Sequence, residues 1–382
     1  MQPPYKIMFL FGTRAEVLKL APIIRLMYQN PATWQPVLVA TGNSQLLNDT
    51  LAYLNFQIDF SVDSSNVIST NEVELLSQLL HNLNNVINAG QPDMILVAGD
   101  ATTTLAASLI SFYHHISLGH VEAGLRTYER YSPFPDEMHR RLTDNLTDLY
   151  FAPTTSARDN LLQEHHPAKR IYVTGNTSID SVKHNLQEDF THPLLQSIPA
   201  DNRILLMTMR RKDNLGAPMK RVFHTMRDIV ETNNNLDLIF PVYPHPEEEL
   251  LANDILGDHD RIHLITPLNH HDFLNIAARS SILLTDSGGL QEEAPALHRP
   301  LLLLRDETER QEAVSLGGVK IVGTDPTTIQ QAVFELLNDE KKYRQMELAE
   351  VPFGDGHASE KILKIVEKYL FNFKARTYRF QL

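Results

Sequence analysis

The sequence contains no cysteine. That excludes disulfides, thiolate metal sites and cysteine nucleophiles, and it fits a reducing compartment. Positive charge is also scarce: 34 Lys and Arg stand against 47 Asp and Glu, a formal net charge of −13. Nucleic acid is therefore disfavoured as a partner, because phosphate-backbone binding wants a basic surface. A phosphorylated small molecule needs only a locally positive pocket. No apolar run approaches the ~20 residues that span a bilayer, so no membrane partner is expected. Met1 leads into a strand-like run, Lys6 to Phe11, without the pattern of a secretory leader. A cytoplasmic location is the expectation. What is present is 42% hydrophobic and 21% charged, ordinary globular composition, and 382 residues suggest two domains.

Short apolar runs alternate with segments of helical period. The first series is Ile7–Phe11, Val37–Ala40, Met94–Ala98, Ile116–Gly119, Leu149–Ala152 and Ile171–Thr174. The second is Ile204–Thr208, Leu238–Val242, Ile262–Ile265, Ile282–Thr285, Leu301–Leu304 and Val319–Val322. Hydrophobicity that is continuous rather than alternating means strands covered on both faces, hence parallel α/β sheets. Two series predict an α/β protein of two doubly wound, Rossmann-like domains facing a central cleft. The boundary is expected near Gly175-Asn176-Thr177, giving domains 1–177 and 178–363. An amphipathic helix from Ser359 to about Phe373 has no strand after it. Ligands of such sheets bind beyond the carboxyl ends of strands, and the polar motifs cluster there.

Each motif has a functional and a plain reading. Gly12-Thr13-Arg14, before Glu16 and Lys19, suits an anion at a helix start, or is a strand-to-helix turn. Asp100 could be an acid or base, but from position alone the N-cap of the next helix is favoured. Asp136, after Pro135, carries the same ambiguity. Glu122 sits in a Gly-flanked loop, where no cap explains it, and is the best functional candidate of the three. His139 reads as structural. Arg210-Arg211-Lys212 suits a phosphate or a carboxylate, or is a solvated loop. His245 also lies just past a strand end. Ser287-Gly288-Gly289 would let a phosphate approach the backbone, and the cluster Arg305 to Arg310 could clamp a diphosphate or be a salt-bridged loop. Glu293 could accept ribose hydroxyls or be a solvated helix residue.

Taken together, the motifs resemble the non-hydrolysing UDP-N-acetylglucosamine 2-epimerases. The resemblance spans about residues 5 to 325 and rests on Gly12-Thr13-Arg14-x-Glu16-x-x-Lys19, Gly99-Asp100-x-Thr102-Thr103-Thr104 and His120-Val121-Glu122-Ala123-Gly124-Leu125-Arg126-Thr127. It continues through Ser132-Pro133-Phe134-Pro135, Thr174-Gly175-Asn176-Thr177, Asp286-Ser287-Gly288-Gly289-x-Gln291-Glu292-Glu293-Ala294-Pro295 and Thr308-Glu309-Arg310-x-Glu312-Ala313-Val314. It implies the glycosyltransferase-B architecture, with the C-terminal helix (364–382) packing back on the first domain. It also implies a homodimer, no metal, no nicotinamide or other cofactor, a UDP-sugar substrate and a place in cell-surface polysaccharide synthesis.

The implied reaction inverts C2 of the sugar by eliminating UDP to a 2-acetamidoglucal and adding it back. Asp100, Glu122 and Asp136 match the acidic positions. Arg14, Ser287, Glu293 and Arg310 match UDP-binding positions, with Lys19 near the site. Arg126, His245, Phe273, Gly288 and Gly289 complete the expected substrate-binding set. Several positions depart from the family pattern. Its usual His in the basic segment is Arg210, and Arg-Arg-Glu-Asn reads Arg211-Lys212-Asp213-Asn214. A Glu is replaced by Asp136, a His by Tyr243 and an Asn by His245. Arg does not exchange protons near neutral pH, so Arg210 is expected to act by charge, unless His245 moves into the vacancy. A regulatory substrate site in many bacterial members uses a Gln-His-Arg run; here Asn43-Ser44-Gln45 follows Gly42, so no self-activation is expected. Alternatives are a modified UDP-2-acetamido sugar as substrate, a hydrolytic variant, or a nucleotide-sugar-binding homologue with little activity.

Overall fold

The computed structural model describes residues 4–62, 71–211, 214–243 and 245–377, the side chains of the last five excepted. Lys212, Asp213 and Pro244, and the end of the expected C-terminal segment, 378–382, lie outside the described residues. The chain forms two compact units, Met1–Ser181 with Phe353–Leu382, and Val182–Pro352.

The first unit contains β1 (Tyr5–Phe11), β2 (Trp34–Ala40), β3 (Phe60–Ser61), β4 (Met94–Ala98), β5 (Ser117–Val121), β6 (Leu149–Ala152) and β7 (Ile171–Val173). They form one sheet in the order β3-β2-β1-β4-β5-β6-β7. The second unit contains β8 (Arg203–Thr208), β9 (Leu236–Pro241), β10 (Ile262–Ile265), β11 (Ile282–Thr285), β12 (Leu301–Leu303) and β13 (Val319–Ile321), ordered β10-β9-β8-β11-β12-β13. The described ladders are parallel, and helices connect most consecutive strands.

Strand β1 shows why the apolar runs are continuous. Ile7, Phe9 and Phe11 enter a core with the helix Arg14–Gln29, while Met8 and Leu10 enter a second core on the opposite face. All five are fully buried, each worth roughly 1.5–3 kcal/mol. Ile362, Leu363, Val366 and Leu370 of the last helix, Ala358–Thr377, join the first of these cores. No described helix is long and apolar enough to cross a membrane.

Two differences from the sequence expectation matter. The two-residue strand β3 has no apolar run and escapes the pattern. Strand β5 runs on past Gly119, which marks a close approach rather than a strand end: a Cβ there would meet Leu96 Cδ2 at 2.4 Å. His120 therefore lies in the strand and Glu122 just beyond it. In each sheet the order reverses once, between β1 and β4 and between β8 and β11. The crevices past those strand ends are where such sheets bind ligands.

Candidate active site

In the first unit the loops after β1, β4 and β5 converge at the reversal point. Thr13 caps the helix Arg14–Gln29 in a capping box with Glu16. The Glu16 carboxylate, 3% exposed, accepts from the amides of Gly12 and Thr13, each at 2.9 Å, and from Thr104 at 3.2 Å. Burial raises its pKa, and these hydrogen bonds oppose the rise without cancelling it. Glu16 thus shapes the loop. Gly12 is required because a Cβ would meet the Thr103 and Thr41 hydroxyls at 2.5 and 2.7 Å. Arg14, half-buried, begins the helix.

Asp100 does not cap the helix Thr102–Tyr113. The N-cap is Ala101, with no side-chain cap hydrogen bond, so the reading favoured from position alone fails. The Asp100 carboxylate pairs with Arg140 instead. The same guanidinium donates from Nη1 to the Glu122 carbonyl at 2.8 Å. Glu122 is buried in the left-handed region, φ 70°. Such a backbone costs about 1–3 kcal/mol in a non-glycine residue unless its surroundings hold it there. Its surroundings do: Lys19 Nζ lies 2.5 Å from Oε2, and Asn176 Nδ2 donates to Oε1 at 2.7 Å. Glu122 is thus a buried, cation-paired carboxylate, while Asp100 is partly exposed. Two carboxylates in unlike environments are the usual arrangement for separating acid from base.

Asp136 is the first residue of the helix Asp136–Leu146, one turn before Arg140. Its N-cap position is Pro135, so Asp136 is not the cap either. Arg126 is not brought to these carboxylates. It is buried, donating to Asp144 and Glu164 at 2.7 Å each and to the Leu125 carbonyl at 2.9 Å. Burial works against both of its carboxylate partners, but the adjoining charges and hydrogen bonds prevail. The Asp144 carboxyl stays far below the usual range, and that of Glu164 is pulled to about 2.

In the second unit Asp286 organises the loop after β8. Fully buried, it accepts from the Arg210 amide at 3.0 Å, the Arg211 amide at 2.9 Å and Asn214 Nδ2 at 3.0 Å. The Arg210 residue itself is exposed. Ser287 begins the turn, and Gly288 and Gly289 open the helix Gly288–Ala296. A Cβ at Gly288 would meet Arg310 Nη1 at 2.8 Å, whereas one at Gly289 would meet nothing within 4 Å. Arg310 lies against that backbone, buried, with Nε 2.6 Å from Glu292 and Nη1 paired to Glu309. Arg305 pairs with Glu309 at 3.2 Å. Burial, with the like charges of Arg211 and Arg310, lowers the Arg305 pKa against the pull of Glu309. Clustered guanidinium groups beside a glycine turn at a helix N-terminus suit a diphosphate.

Glu293 is 9% exposed, with His270 at 3.8 Å. Phe273 is half-buried on the helix His270–Arg279, and His245 is exposed at the N-cap position of Pro246–Leu256. Glu248, one turn along that helix, is buried and accepts from the Tyr243 amide at 2.8 Å. Burial raises its pKa to about 7, with Asp286 adding to the rise and the Tyr243 amide and Arg210 opposing it.

Sequence reasoning missed Arg140 and Glu248, and it quoted Asn176 and Asp286 within motifs without giving either a role. A signal existed for Arg140: Asp136, Arg140 and Asp144 repeat at i, i+4, i+8 on one helix face. Among the described residues no group of three or more His, Asp or Glu is placed to hold a metal ion.

A family model described as UDP-N-acetylglucosamine 2-epimerase matches residues 28–367. The Bacillus subtilis UDP-N-acetylglucosamine 2-epimerase is 43% identical over 373 residues, 97% of this chain and 96% of the relative. The S. aureus MnaA–UDP structure superposes with a TM-score of 0.90 at 40% identity, covering 96% of this chain and 97% of that one. The Neisseria meningitidis UDP-GlcNAc 2-epimerase bound to UDP-GlcNAc gives a TM-score of 0.89 at 35% identity, covering 95% and 100%.

Proposed function

The chain belongs to the UDP-N-acetylglucosamine 2-epimerase family, and we propose that it interconverts UDP-N-acetylglucosamine and UDP-N-acetylmannosamine. The C2 hydrogen is not next to a carbonyl, so direct deprotonation is difficult. Elimination avoids the problem. A carboxylate takes the C2 proton while the C1–O bond to UDP breaks, leaving a C1=C2 double bond in a 2-acetamidoglucal. UDP oxygen then re-forms the bond to C1 as a proton is delivered to the other face of C2.

The reading assigns the proton work to Asp100, Glu122 and Asp136. Lys19 pairs with Glu122, and Arg140 pairs with Asp100. Arg14, Arg210 and Arg310 neutralise the diphosphate as it leaves. Ser287, Gly288 and Gly289 present the backbone to it, and Glu293 takes the ribose hydroxyls. Phe273 and His245 line the substrate, and Arg126 acts from within by holding the loop after Glu122. The observation that carries this is the single Arg140 guanidinium tying Asp100 to the Glu122 backbone. It brings two carboxylates of unlike exposure onto neighbouring strand ends. On this reading the protein is a cytoplasmic homodimer that needs no cofactor.

The test is incubation with UDP-N-acetylglucosamine in deuterated water, followed by proton NMR. Appearance of UDP-N-acetylmannosamine with deuterium at C2 is expected. Free N-acetylmannosamine with UDP would mean a hydrolytic enzyme. No exchange at C2 would overturn the reading.

A further inference from the structure

Asp100 sits on a turn whose two consecutive carbonyls each meet an imidazole. His120 Nε2 lies 2.8 Å from the Gly99 carbonyl, and His139 Nδ1 lies 3.1 Å from the Asp100 carbonyl. A carbonyl oxygen only accepts, so both nitrogens donate. The histidines come from different elements, β5 and the helix Asp136–Leu146. Both are buried, His120 completely. His120 Nδ1 meets Asp144 Oδ1 at 2.7 Å, and the other Asp144 oxygen accepts from Gly124 N at 3.2 Å and from Arg126. The turn is thus fastened through His120 to the loop that carries Glu122.

We propose that His120 and His139 are positioning residues, a two-histidine clamp that sets the Gly99-Asp100 turn relative to Glu122. The proposal rests on the reading of Asp100 and Glu122 as reacting groups. Gly99 needs such a clamp. It lies in the left-handed region, φ 80°, and glycine holds no conformation by itself. A Cβ there would sit 3.4 Å from Lys19 Nζ and 3.5 Å from Glu122 Oε2, so the turn borders both groups directly. Burial lowers the His139 pKa against the pull of Glu72 and Asp100, which keeps that ring neutral at pH 7 with its one N–H on Nδ1. His139 then brings no charge of its own beside Asp100 at neutral pH.

Amide side chains distinguish a clamp from core filling. Gln places a donor near the position of Nε2, and Asn near that of Nδ1. H120Q and H139N keep the donors to the turn; H120N and H139Q lose them at similar volume and polarity. H139N should keep kcat within about threefold and H139Q should lose about ten- to a hundredfold with KM nearly unchanged; H120Q, which keeps the Gly99 bond but gives up the Asp144 bond, and H120N, which does the reverse, should both lose turnover. Amide hydrogen exchange over residues 99–102 should quicken in H120N and H139Q only. Equal kcat within the His139 pair, or equal exchange within each Gln/Asn pair, would overturn the clamp. A wild-type protein without turnover would overturn the functional reading instead, and the exchange pattern would still decide the clamp. If both His120 variants misfold, the His139 pair decides it.

Discussion

Replacing Arg310 by Met should damage two properties at once, and the structure gives the size of each. The Arg310 side chain is 3% exposed and its partner Glu292 is fully buried. Removing one member of a buried pair typically costs about 3–5 kcal/mol, because the remaining charge keeps its desolvation penalty. Glu309 is less affected, since Arg305 still pairs with it. The same substitution removes a charge-assisted contact to the proposed diphosphate. Such a contact is worth ~1.5–3 kcal/mol, so UDP affinity should fall roughly ten- to a hundredfold. The double variant R310M/E292Q separates the effects: it should recover most of the stability and none of the affinity. The lone tryptophan, Trp34, lies in the first unit and reports on the wrong part of the chain. Urea unfolding should therefore be followed by hydrogen exchange over residues 285–315, with UDP binding measured by calorimetry. A stability loss below about 1 kcal/mol for R310M would refute the buried-pair argument. Unchanged UDP affinity would refute the diphosphate assignment.

Arg210 is expected to act by fixed charge, so Arg210→Lys should keep part of the turnover and Arg210→Met should lose it; equal rates would reject that role. Glu248 titrates near 7 when folded, against an ordinary value of 4.5. The folded state holds its proton longer, so its contribution to stability is complete at low pH. That contribution falls by at most about 1 kcal/mol per pH unit as pH rises from 4.5 to 7. Thermal unfolding of Glu248→Gln should lack that decline; parallel pH profiles would dismiss it. The reverse reaction, started from UDP-N-acetylmannosamine alone, should run without a lag, since Ser44 caps a helix and Gln45 bonds Asp49 at 2.7 Å. A lag abolished by adding UDP-N-acetylglucosamine would show that a regulatory site has been rebuilt.

Much of the fold was legible because burial on both faces leaves a local trace. The strands Met94–Ala98, Leu149–Ala152, Ile262–Ile265 and Ile282–Thr285 appear end to end as apolar runs. Phe60–Ser61 left no such trace, being short and only partly buried. Gly119 was misleading because a strand glycine and a turn glycine look alike until the neighbouring strand, with Leu96, is placed. The motifs likewise located Asp100 and Glu122 near strand ends, where a doubly wound sheet collects its chemistry.

The sequence by itself determined the residue types at the site, the strand and helix periods, and the family to which the motifs point. Tertiary structure alone decided the pairings. Lys19 meets Glu122 across 103 positions, Asn176 meets Glu122 across 54, and Arg140 meets Asp100 across 40. It also decided which arginine serves which carboxylate: Arg126, inside the most informative motif, turns inward to Asp144 and Glu164, while Arg140 reaches Asp100. The physical reason is that periodicity records whether a side chain is buried, through the few residues on either side of it. Its partner is set by the order of strands in the sheet, and that order is absent from any local window of sequence.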